Sequence, residues 1–188
     1  PFWHGDQDGR DYGFGLAQGR LTRELSQRLH RHEPAKNDDQ NTGQTVSEVR
    51  FDREATQRLK RDGLDRNAIS NLAKLLDEQC EATGTIPSDR DLVVERCRDE
   101  GGDWRIIIHS PYGRRVHEPW ALAITTRIKQ RFGFDGQVYA VDDGIVLRLP
   151  DGYGDLPTRE LLLFDVDELQ RTVETQVGES VLYMARFR

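Results

Sequence analysis

The sequence lacks the features of a disulfide-stabilised, membrane-spanning or secreted chain. Its 188 residues include only two cysteines, Cys80 and Cys97, which are too few for a disulfide framework and are not spaced as a CxxC pair. No apolar run approaches the roughly 20 residues that span a bilayer, and no basic segment followed by an apolar one opens the chain. These absences predict a cytoplasmic protein with reduced thiols and no membrane partner.

The chain also has no overall excess of positive charge. It carries 27 Lys and Arg against 33 Asp and Glu, a net charge of −6, and this balance alone argues against a protein that coats nucleic acid. Residues 105–131, however, contain one acidic residue, Glu118, and six basic residues: Arg105, Arg114, Arg115, Arg127, Lys129 and Arg131. A basic stretch in acidic surroundings is therefore expected.

Several catalytic motifs are missing. The chain contains no GxxxxGK[ST] phosphate loop, no strand–GxGxxG–helix unit and no GxSxG nucleophile elbow. His30 and His32 stand two apart in a predicted helix and would face different sides, which does not suit a metal pair. Asp142 and Asp143 fit a turn better than a catalytic pair. We therefore expect no catalytic residue, metal or cofactor in this chain.

One domain is predicted, and its sequence character changes along the chain. The predicted stretches are an N-terminal segment with a helix (1–31), a polar loop (32–50), a helical part (51–84) and a core of hairpins and helices (85–188). The chain begins at Pro1 and stops at Arg188 directly after an apolar run. These ends predict a piece of a longer polypeptide.

Periodicity predicts an α+β fold. Apolar residues at helical spacing indicate a helix over Leu16–Arg31, and Asp52 and Asp65 are suited to cap two further helices. From Asp91 onward the period changes to 2, which is typical of strands.

Two hairpins are expected, one turning at Gly101–Asp103 and one at Asp142–Asp143. Further predictions are a helix that begins at Pro119 and buries Trp120, Ile124 and Ile128, a strand over Glu160–Phe164, and a helix after Asp165 with Glu168 in a capping box and Val166 facing a core. Residues 1–15 are predicted to be irregular, and Gly84 is predicted to end the helix that Asp65 caps. The expected architecture is a mainly antiparallel sheet built from hairpins with packed helices.

Two groups of residues carry binding chemistry. The first is Trp3 with His4, Gly5 and Arg10 in a glycine-rich segment. An exposed tryptophan on such a segment can stack on a nucleic-acid base, whatever the sequence of that base. The alternative is that Trp3 is a core anchor that fixes the N-terminal segment.

The second group lies in the run HSPYGRRVH, residues 109–117, where a predicted central strand ends and the backbone turns. Arg114 and Arg115 are adjacent there, with His117 close by. Paired guanidiniums and a helix N-terminus both suit phosphate oxygens. The alternative is that these arginines pair with acidic side chains of the same chain and only brace the fold.

The same segments resemble a known family. WRIIIHSPYGRRVHEPWALAI (104–124), GIVLRLPD (144–151) and the opening PFWHGD..GR are similar to the Lhr (large helicase-related) family of superfamily 2 helicases. The likeness is to the DEAD/H-associated domain that follows two RecA-like motor domains and a winged helix. It extends over essentially the whole chain and is weakest from 32 to 48.

The resemblance implies an accessory domain of an ATP-dependent 3′-to-5′ DNA helicase, with ATP and Mg²⁺ bound in the motor domains and a role in DNA repair. The domain would complete the channel for the tracking single strand of DNA or of an RNA–DNA hybrid. The implied nucleic-acid-binding residues are Trp3, Arg10, Arg114, Arg115 and His117. Two rivals stay open: a bracing domain without strand contacts, and a metal-dependent nuclease or base-removing domain using Asp142, Asp143 or His117.

In the full-length helicase, Trp3→Ala is expected to uncouple ATP hydrolysis from unwinding. Loss of a stacking platform worth about 1–3 kcal/mol per base would let the strand slip between cycles. The measurement compares strand-stimulated ATPase and duplex unwinding of the two proteins. Unchanged unwinding would contradict the stacking role.

Overall fold

The computed structural model describes residues 9–32, 48–134, 136–151 and 158–179. Within these ranges the chain forms two compact units, one from the described parts of 1–17 and 94–188, the other from those of 18–93. Helices combine with antiparallel strands, which confirms the predicted α+β class. Among the described residues, no helix is long and apolar enough to cross a bilayer.

The unit drawn from residues 18–93 is mainly helical and is here called the helical unit. Helix α1 (Tyr12–Gln27) runs into it and is followed by strands β1 (Leu29–His32) and β2 (Glu48–Phe51), which pair antiparallel. Helices α2 (Arg53–Arg61) and α3 (Arg66–Thr83) complete it. Its core consists of Leu25, Val49, Phe51, Ala55, Leu59, Ile69, Ala73 and Leu76.

Local sequence explains α2 and α3 well. The Asp52 carboxylate accepts a hydrogen bond from the Ala55 N–H at 2.7 Å, and Asp65 accepts one from Ala68 at 2.7 Å. Each satisfies one of the four N–H groups that a helix start leaves unpaired. Gly84 ends α3 at φ +74, a left-handed conformation that glycine adopts without steric cost. The predicted caps and the predicted end of α3 are confirmed.

The other unit, here called the sheet unit, is built on four strands: β3 (Val93–Arg98), β4 (Trp104–His109), β5 (Gln137–Val141) and β6 (Gly144–Leu149). Their order is β3-β4-β6-β5, and β6 pairs antiparallel with both β4 and β5. Helices α4 (Arg114–Phe132), α5 (Thr158–Leu162) and α6 (Val166–Gly178) accompany the sheet. Both predicted hairpin turns are confirmed, at 101–103 and at 142–143.

The core of the sheet unit lies between the sheet and α4. Ile106 and Ile108 of β4 and Ile145 and Leu147 of β6 have no exposed surface, and Ile124 and Ile128 of α4 are equally buried. The predicted apolar face of this helix is confirmed, since Trp120 packs at its edge and donates its indole N–H to the Leu162 carbonyl at 2.9 Å.

The beginning of the chain differs from the prediction. Helix α1 starts at Tyr12, inside the stretch predicted to be irregular, because Asp11 accepts hydrogen bonds from the Gly13 and Phe14 N–H groups. It ends at Gln27, so the predicted helix end is wrong, and Leu29–His32 forms β1. That strand depends on pairing with β2 across the chain segment between them, which local periodicity does not reveal.

The start of α4 also differs. The helix begins at Arg114, so Pro119 is its sixth residue and not its first as predicted. Gly113 at φ +87 turns the chain into the helix, and the Asp142 carboxylate pairs the Arg114 N–H. Pro119 then removes one intrahelical hydrogen bond near the start of a 19-residue helix.

The predicted strand over 160–164 is wrong, because α5 occupies its beginning. A short apolar run is ambiguous between strand and helix, and here a tertiary contact decides. The Arg127 guanidinium donates to the carbonyls of Glu160 (2.6 Å) and Leu163 (2.5 Å), which satisfies the end of this short helix. Leu161 and Leu162 are buried in the core.

Helix α6 follows Asp165 as predicted, but the predicted capping box is wrong. The Asp165 side chain makes no capping hydrogen bond, and Glu168 instead pairs with Arg127 at 2.6 Å. Val166, predicted to face a core, is 80% exposed, and no described residue of α6 is buried.

Replacing Arg127 is expected to destabilise the sheet unit by about 1.5–3 kcal/mol, because Arg127→Met removes the charged donor of Glu168 and of the carbonyls at the end of α5. Arg127 also lies over the Phe164 ring at 3.3 Å. Urea unfolding measures the change. The control is Arg131→Met, one turn further on, which removes an exposed ion pair to Glu160 and should cost no more than about 1 kcal/mol. Equal losses in the two variants would contradict the bridging role of Arg127.

Candidate nucleic-acid interface

Three segments that are distant in sequence meet at one end of the sheet unit. They are residues 9–11, the loop and helix start from Ser110 to Arg115, and the β5–β6 turn at Asp142–Asp143. We call this meeting point the α4 junction. It brings together four of the five residues predicted to bind nucleic acid: Arg10, Arg114, Arg115 and His117. Trp3, the fifth, lies outside the described residues.

The Asp142 carboxylate holds the α4 junction together. Its Oδ1 atom accepts hydrogen bonds from the backbone N–H of Arg10 at 2.8 Å and from that of Arg114 at 3.0 Å. These two bonds favour the charged form, so they hold the pKa of Asp142 below its usual value. A residue expected only to turn a hairpin therefore anchors both the N-terminal segment and the first turn of α4.

Arg10 is a cross-link within the junction. Its Nη2 atom lies 2.7 Å from Asp143 Oδ1, and its Nη1 atom donates to the carbonyls of Pro111 (3.4 Å) and Asp142 (3.3 Å). The side chain is only 19% exposed. Most of its donors are therefore engaged inside the protein.

His117 is fully buried beneath the junction. Its Nδ1 atom lies 2.6 Å from the Val141 carbonyl, so this nitrogen carries the proton and donates, while Nε2 lies 2.8 Å from the Ser110 hydroxyl. Burial disfavours the charged imidazole and lowers the pKa of His117. The ring has no exposed surface at which a phosphate could bind. Its position suits a residue that links strand β5 to the loop before α4.

Two glycines allow the segments to approach this closely. At Gly113, a Cβ atom would lie 2.5 Å from the Arg10 carbonyl oxygen, and the backbone has φ +87. At Gly15, a Cβ atom would collide with the Pro111 carbonyl. The rings of Tyr12 and Tyr112 stack beside this contact, with centroids 5.5 Å apart. The glycine-rich opening of the chain therefore serves a close backbone contact.

Arg114 and Arg115 present positive charge at the surface of the junction. Both are exposed in the first turn of α4, which contains no acidic residue and has no side-chain cap at Gly113. Arg114 Nε lies 2.6 Å from Glu118, and both side chains of this pair are about half exposed. Such an exposed pair is weak and can open for a phosphate. The bracing alternative requires buried pairing, which Arg114 does not have.

The predicted basic stretch from 105 to 131 is divided in space. Arg127 and Arg131 lie further along α4 and pair with Glu168 and Glu160 of the following helices. The positive charge next to the junction is therefore that of Arg114 and Arg115.

The nuclease alternative requires a cluster of ligands or acids in one cleft. In the described part of the chain, no three His, Cys, Asp or Glu side chains are placed to hold a metal ion. Asp142 is occupied by two backbone N–H groups, and Asp143 lies at an exposed turn, where its side chain is 79% exposed. These residues do not fit a catalytic metal centre or an Mg²⁺–nucleotide site.

Sequence reasoning missed the structural roles of Asp142, Ser110 and Asp11. Each role depends on a particular partner, and the Asp142–Arg10 contact spans 132 residues. Asp142 lies in a predicted hairpin turn, which does not indicate a distant partner. Asp11 instead caps α1 through the nearby Gly13 and Phe14, which is a local signal that the prediction did not use.

Comparison with known families gives a direct match. The model of the family described as DEAD/H associated matches residues 86–188. The chain is 44% identical over 188 residues to the Lhr helicase/probable uracil glycosylase of Mycolicibacterium smegmatis, and 56% identical over 124 residues to the Lhr helicase/uracil glycosylase of Escherichia coli. These alignments cover 100% and 66% of this chain, but 11% and 8% of the two relatives. The chain thus spans about a tenth of their length.

A solved structure has a similar fold. The Mycobacterium smegmatis helicase Lhr bound to ssDNA and AMP-PNP matches with a TM-score of 0.73 and 43% identity. The match covers 100% of this chain and 21% of that one.

The buried His117 is expected to make stability fall in mild acid. Because its pKa is lower in the folded state than in the unfolded state, the unfolded chain binds more protons below the ordinary histidine pKa of about 6.5. The contribution of the neutral His117 to the free energy of unfolding is therefore complete above about pH 6.5 and is lost as the pH falls below that value. Urea unfolding from pH 7.5 to 5.5 measures it.

His117→Gln should reduce this pH dependence, although the variant is less stable throughout. The matched control is His30→Gln, which replaces an exposed histidine and should leave the pH dependence as in the original chain. The same slope in His117→Gln and the original chain would show that another group is responsible.

Proposed function

Because the chain belongs to the DEAD/H associated family, we propose that it is an accessory nucleic-acid-binding domain of an Lhr-type ATP-dependent helicase. In this proposal the domain forms part of the channel that holds the tracking single strand. The substrates are single-stranded DNA and RNA–DNA hybrids, and the partners are the RecA-like motor and winged-helix domains of the same polypeptide. The process served is DNA repair.

The observation that carries the proposal is the exposed pair of arginines at the start of α4. Arg114 and Arg115 occupy the helix end where the macrodipole already favours anions, so cations there do not serve helix stability. A phosphate beside this end would bind the two guanidiniums, since the first N–H group of the helix is already bonded to the Asp142 carboxylate. Asp142, Arg10 and His117 fix the position of this helix end.

The proposed contacts are independent of base sequence. Phosphates carry no sequence information, and every base offers a π face to a stacking side chain. Arg114 and Arg115 would contact phosphates while Trp3 stacks on a base, which together would limit backward slipping of the strand. Arg10 and His117 contribute by positioning, since their polar atoms already bind within the protein.

ATP and Mg²⁺ belong to the motor domains in this proposal. The chain has no glycine-rich phosphate loop, and its described carboxylates do not cluster as a metal site. No step of the reaction is therefore assigned to the residues of this chain beyond gripping and positioning the strand.

A bracing role is the second candidate. It is favoured by Arg10 and Arg127, whose guanidiniums bind backbone carbonyls and acidic side chains of the same chain. The two candidates differ in what they require of Arg114 and Arg115, which a bracing domain does not need at its surface.

Binding of a fluorescent oligo-dT to this chain is expected to be weak and salt-sensitive, and to weaken in the double variant Arg114→Glu/Arg115→Glu. For single strands the slope of log K against log salt is about 0.7 per phosphate contact, so the slope should fall by about 1.4. Fluorescence anisotropy at several salt concentrations measures both quantities.

The matched control for this experiment is Arg159→Glu/Arg171→Glu, which makes the same charge change at exposed positions of α5 and α6. Equal weakening in the two double variants, or binding that does not depend on salt, would contradict the proposed contacts.

A further inference from the structure

The helical unit contains a groove that is separate from the α4 junction. It has a volume of about 500 Å³ and lies among β2, α2 and α3. Its floor is the apolar core surface of Val49, Phe51, Ile69 and Ala73. Its rim is polar and consists of Arg50, Thr56, Lys60, Arg66, Asn67 and Ser70. We call it the β2–α3 groove.

Among the residues that the structure describes, the charged side chains that line this groove are all cationic. Three cationic side chains and no carboxylate are among its lining residues, although acids outnumber bases in the chain as a whole. A cleft elsewhere in the same unit is mixed, since Arg23 and Arg31 there stand with Asp77, Glu81 and Asp91. The β2–α3 groove therefore has the character expected of a site for an anion.

Two of its cations lack an internal partner. Lys60 and Arg66 are exposed, and neither has a carboxylate within 4.0 Å among the residues that the structure describes. Several other arginines of the helical unit are paired, as in Arg31–Asp77 at 2.7 Å and Arg58–Glu24 at 2.7 Å. The charges of Lys60 and Arg66 are therefore directed to solvent or to an external ligand.

The position of Arg66 does not serve helix stability. It is the first residue of α3, whose first turn contains no acidic side chain. The Asp65 carboxylate directly before it caps this helix end, and a cation beside that cap opposes the helix macrodipole. α4, the helix that begins with Arg114 and Arg115, has the same charge arrangement.

We propose that the β2–α3 groove is a second contact for a single-stranded nucleic acid, in which Lys60 and Arg66 bind phosphates. Asn67 and Ser70 add hydrogen-bonding groups on the same rim. This inference rests on the proposed function, because a chain that grips a strand at α4 gains avidity from a second sequence-independent contact.

We choose a single strand over an acidic peptide because the exposed arginines at the start of α4 suit the same ligand. No aromatic side chain is exposed on the floor, since Phe51 is only 7% exposed. The groove therefore offers no ring on which a base could stack. Phosphate contact alone remains, and this is the part of a nucleic acid that a lysine and an arginine bind without regard to sequence.

The test is oligo-dT binding by the double variant Lys60→Glu/Arg66→Glu, measured by fluorescence anisotropy at several salt concentrations. The slope of log K against log salt is expected to fall by about 1.4, for two phosphate contacts at about 0.7 each. The matched control is Arg53→Glu/Lys74→Glu, which makes the same charge change on α2 and α3 at exposed residues outside the groove. This control should reduce the slope by a clearly smaller amount.

A second measurement needs no variant. Amide NMR signals of Asn67 and Ser70 should shift when oligo-dT is added to the original chain, and a poly-glutamate peptide of equal charge should not reproduce the shift. If the peptide shifts these signals as strongly, or if oligo-dT leaves them unmoved, the groove is not a nucleic-acid site.

The outcomes separate this inference from the proposed function. If oligo-dT does not bind the chain at all, the proposed function fails and this inference fails with it. If binding depends on Arg114 and Arg115 but the Lys60→Glu/Arg66→Glu variant behaves like its control, the proposed function stands. The groove then does not contact the strand, and this inference is wrong.

Discussion

The position of α4 depends on one carboxylate. Asp142 accepts the backbone N–H groups of Arg10 and Arg114 through a single oxygen, and this joins the N-terminal segment, the helix start and the β5–β6 turn. An N–H group at the start of a helix has no intrahelical partner, so a carboxylate from a distant turn can both pair it and fix the helix end in space. His117 also joins separate segments, because its buried ring bonds to strand β5 and to Ser110. The exposed arginines of α4 are therefore presented from a rigid base.

The charges of the chain divide into two groups with different physical consequences. Arginines such as Arg10, Arg31 and Arg127 are paired with carboxylates of the chain, and Arg10 and Arg127 also donate to backbone carbonyls, so these three act as cross-links. Arg66, Arg114 and Arg115 are exposed at helix starts, where a cation opposes the macrodipole, and the pair that Arg114 makes with Glu118 is itself exposed. The net charge of −6 describes the whole surface. It does not describe the local field at these helix starts, which is the field that a phosphate experiences.

Features whose cause is local could be predicted from the sequence. The Asp52 and Asp65 caps, the end of α3 at Gly84 and the turn at Asp142–Asp143 each depend on residues within a few positions of one another. Arg114 and Arg115 were predicted as phosphate contacts in the same way, from two adjacent arginines in a turn before a helix. Most of the failures have one cause, a distant contact that overrides local preference, whereas the start of α1 depends on the local Asp11 cap. Residues 160–164 have the pattern of a strand, but hydrogen bonds from Arg127 stabilise a helix end there. Gly113 and Asp142 fix the start of helix α4 five residues before the proline that suits a helix start.

The sequence by itself determined the α+β class, most element positions and the segments that resemble Lhr helicases. These follow from short-range periodicity, capping chemistry and a long unusual motif, all of which can be seen along the chain. Only the tertiary structure decided which polar residues are exposed and which are bound inside. It buried His117, engaged Arg10 and left Arg114 and Arg115 at the surface. It also gathered Lys60 and Arg66 from two helices at one groove. Exposure and pairing are properties of segments brought together in space, and spacing along the chain does not specify them.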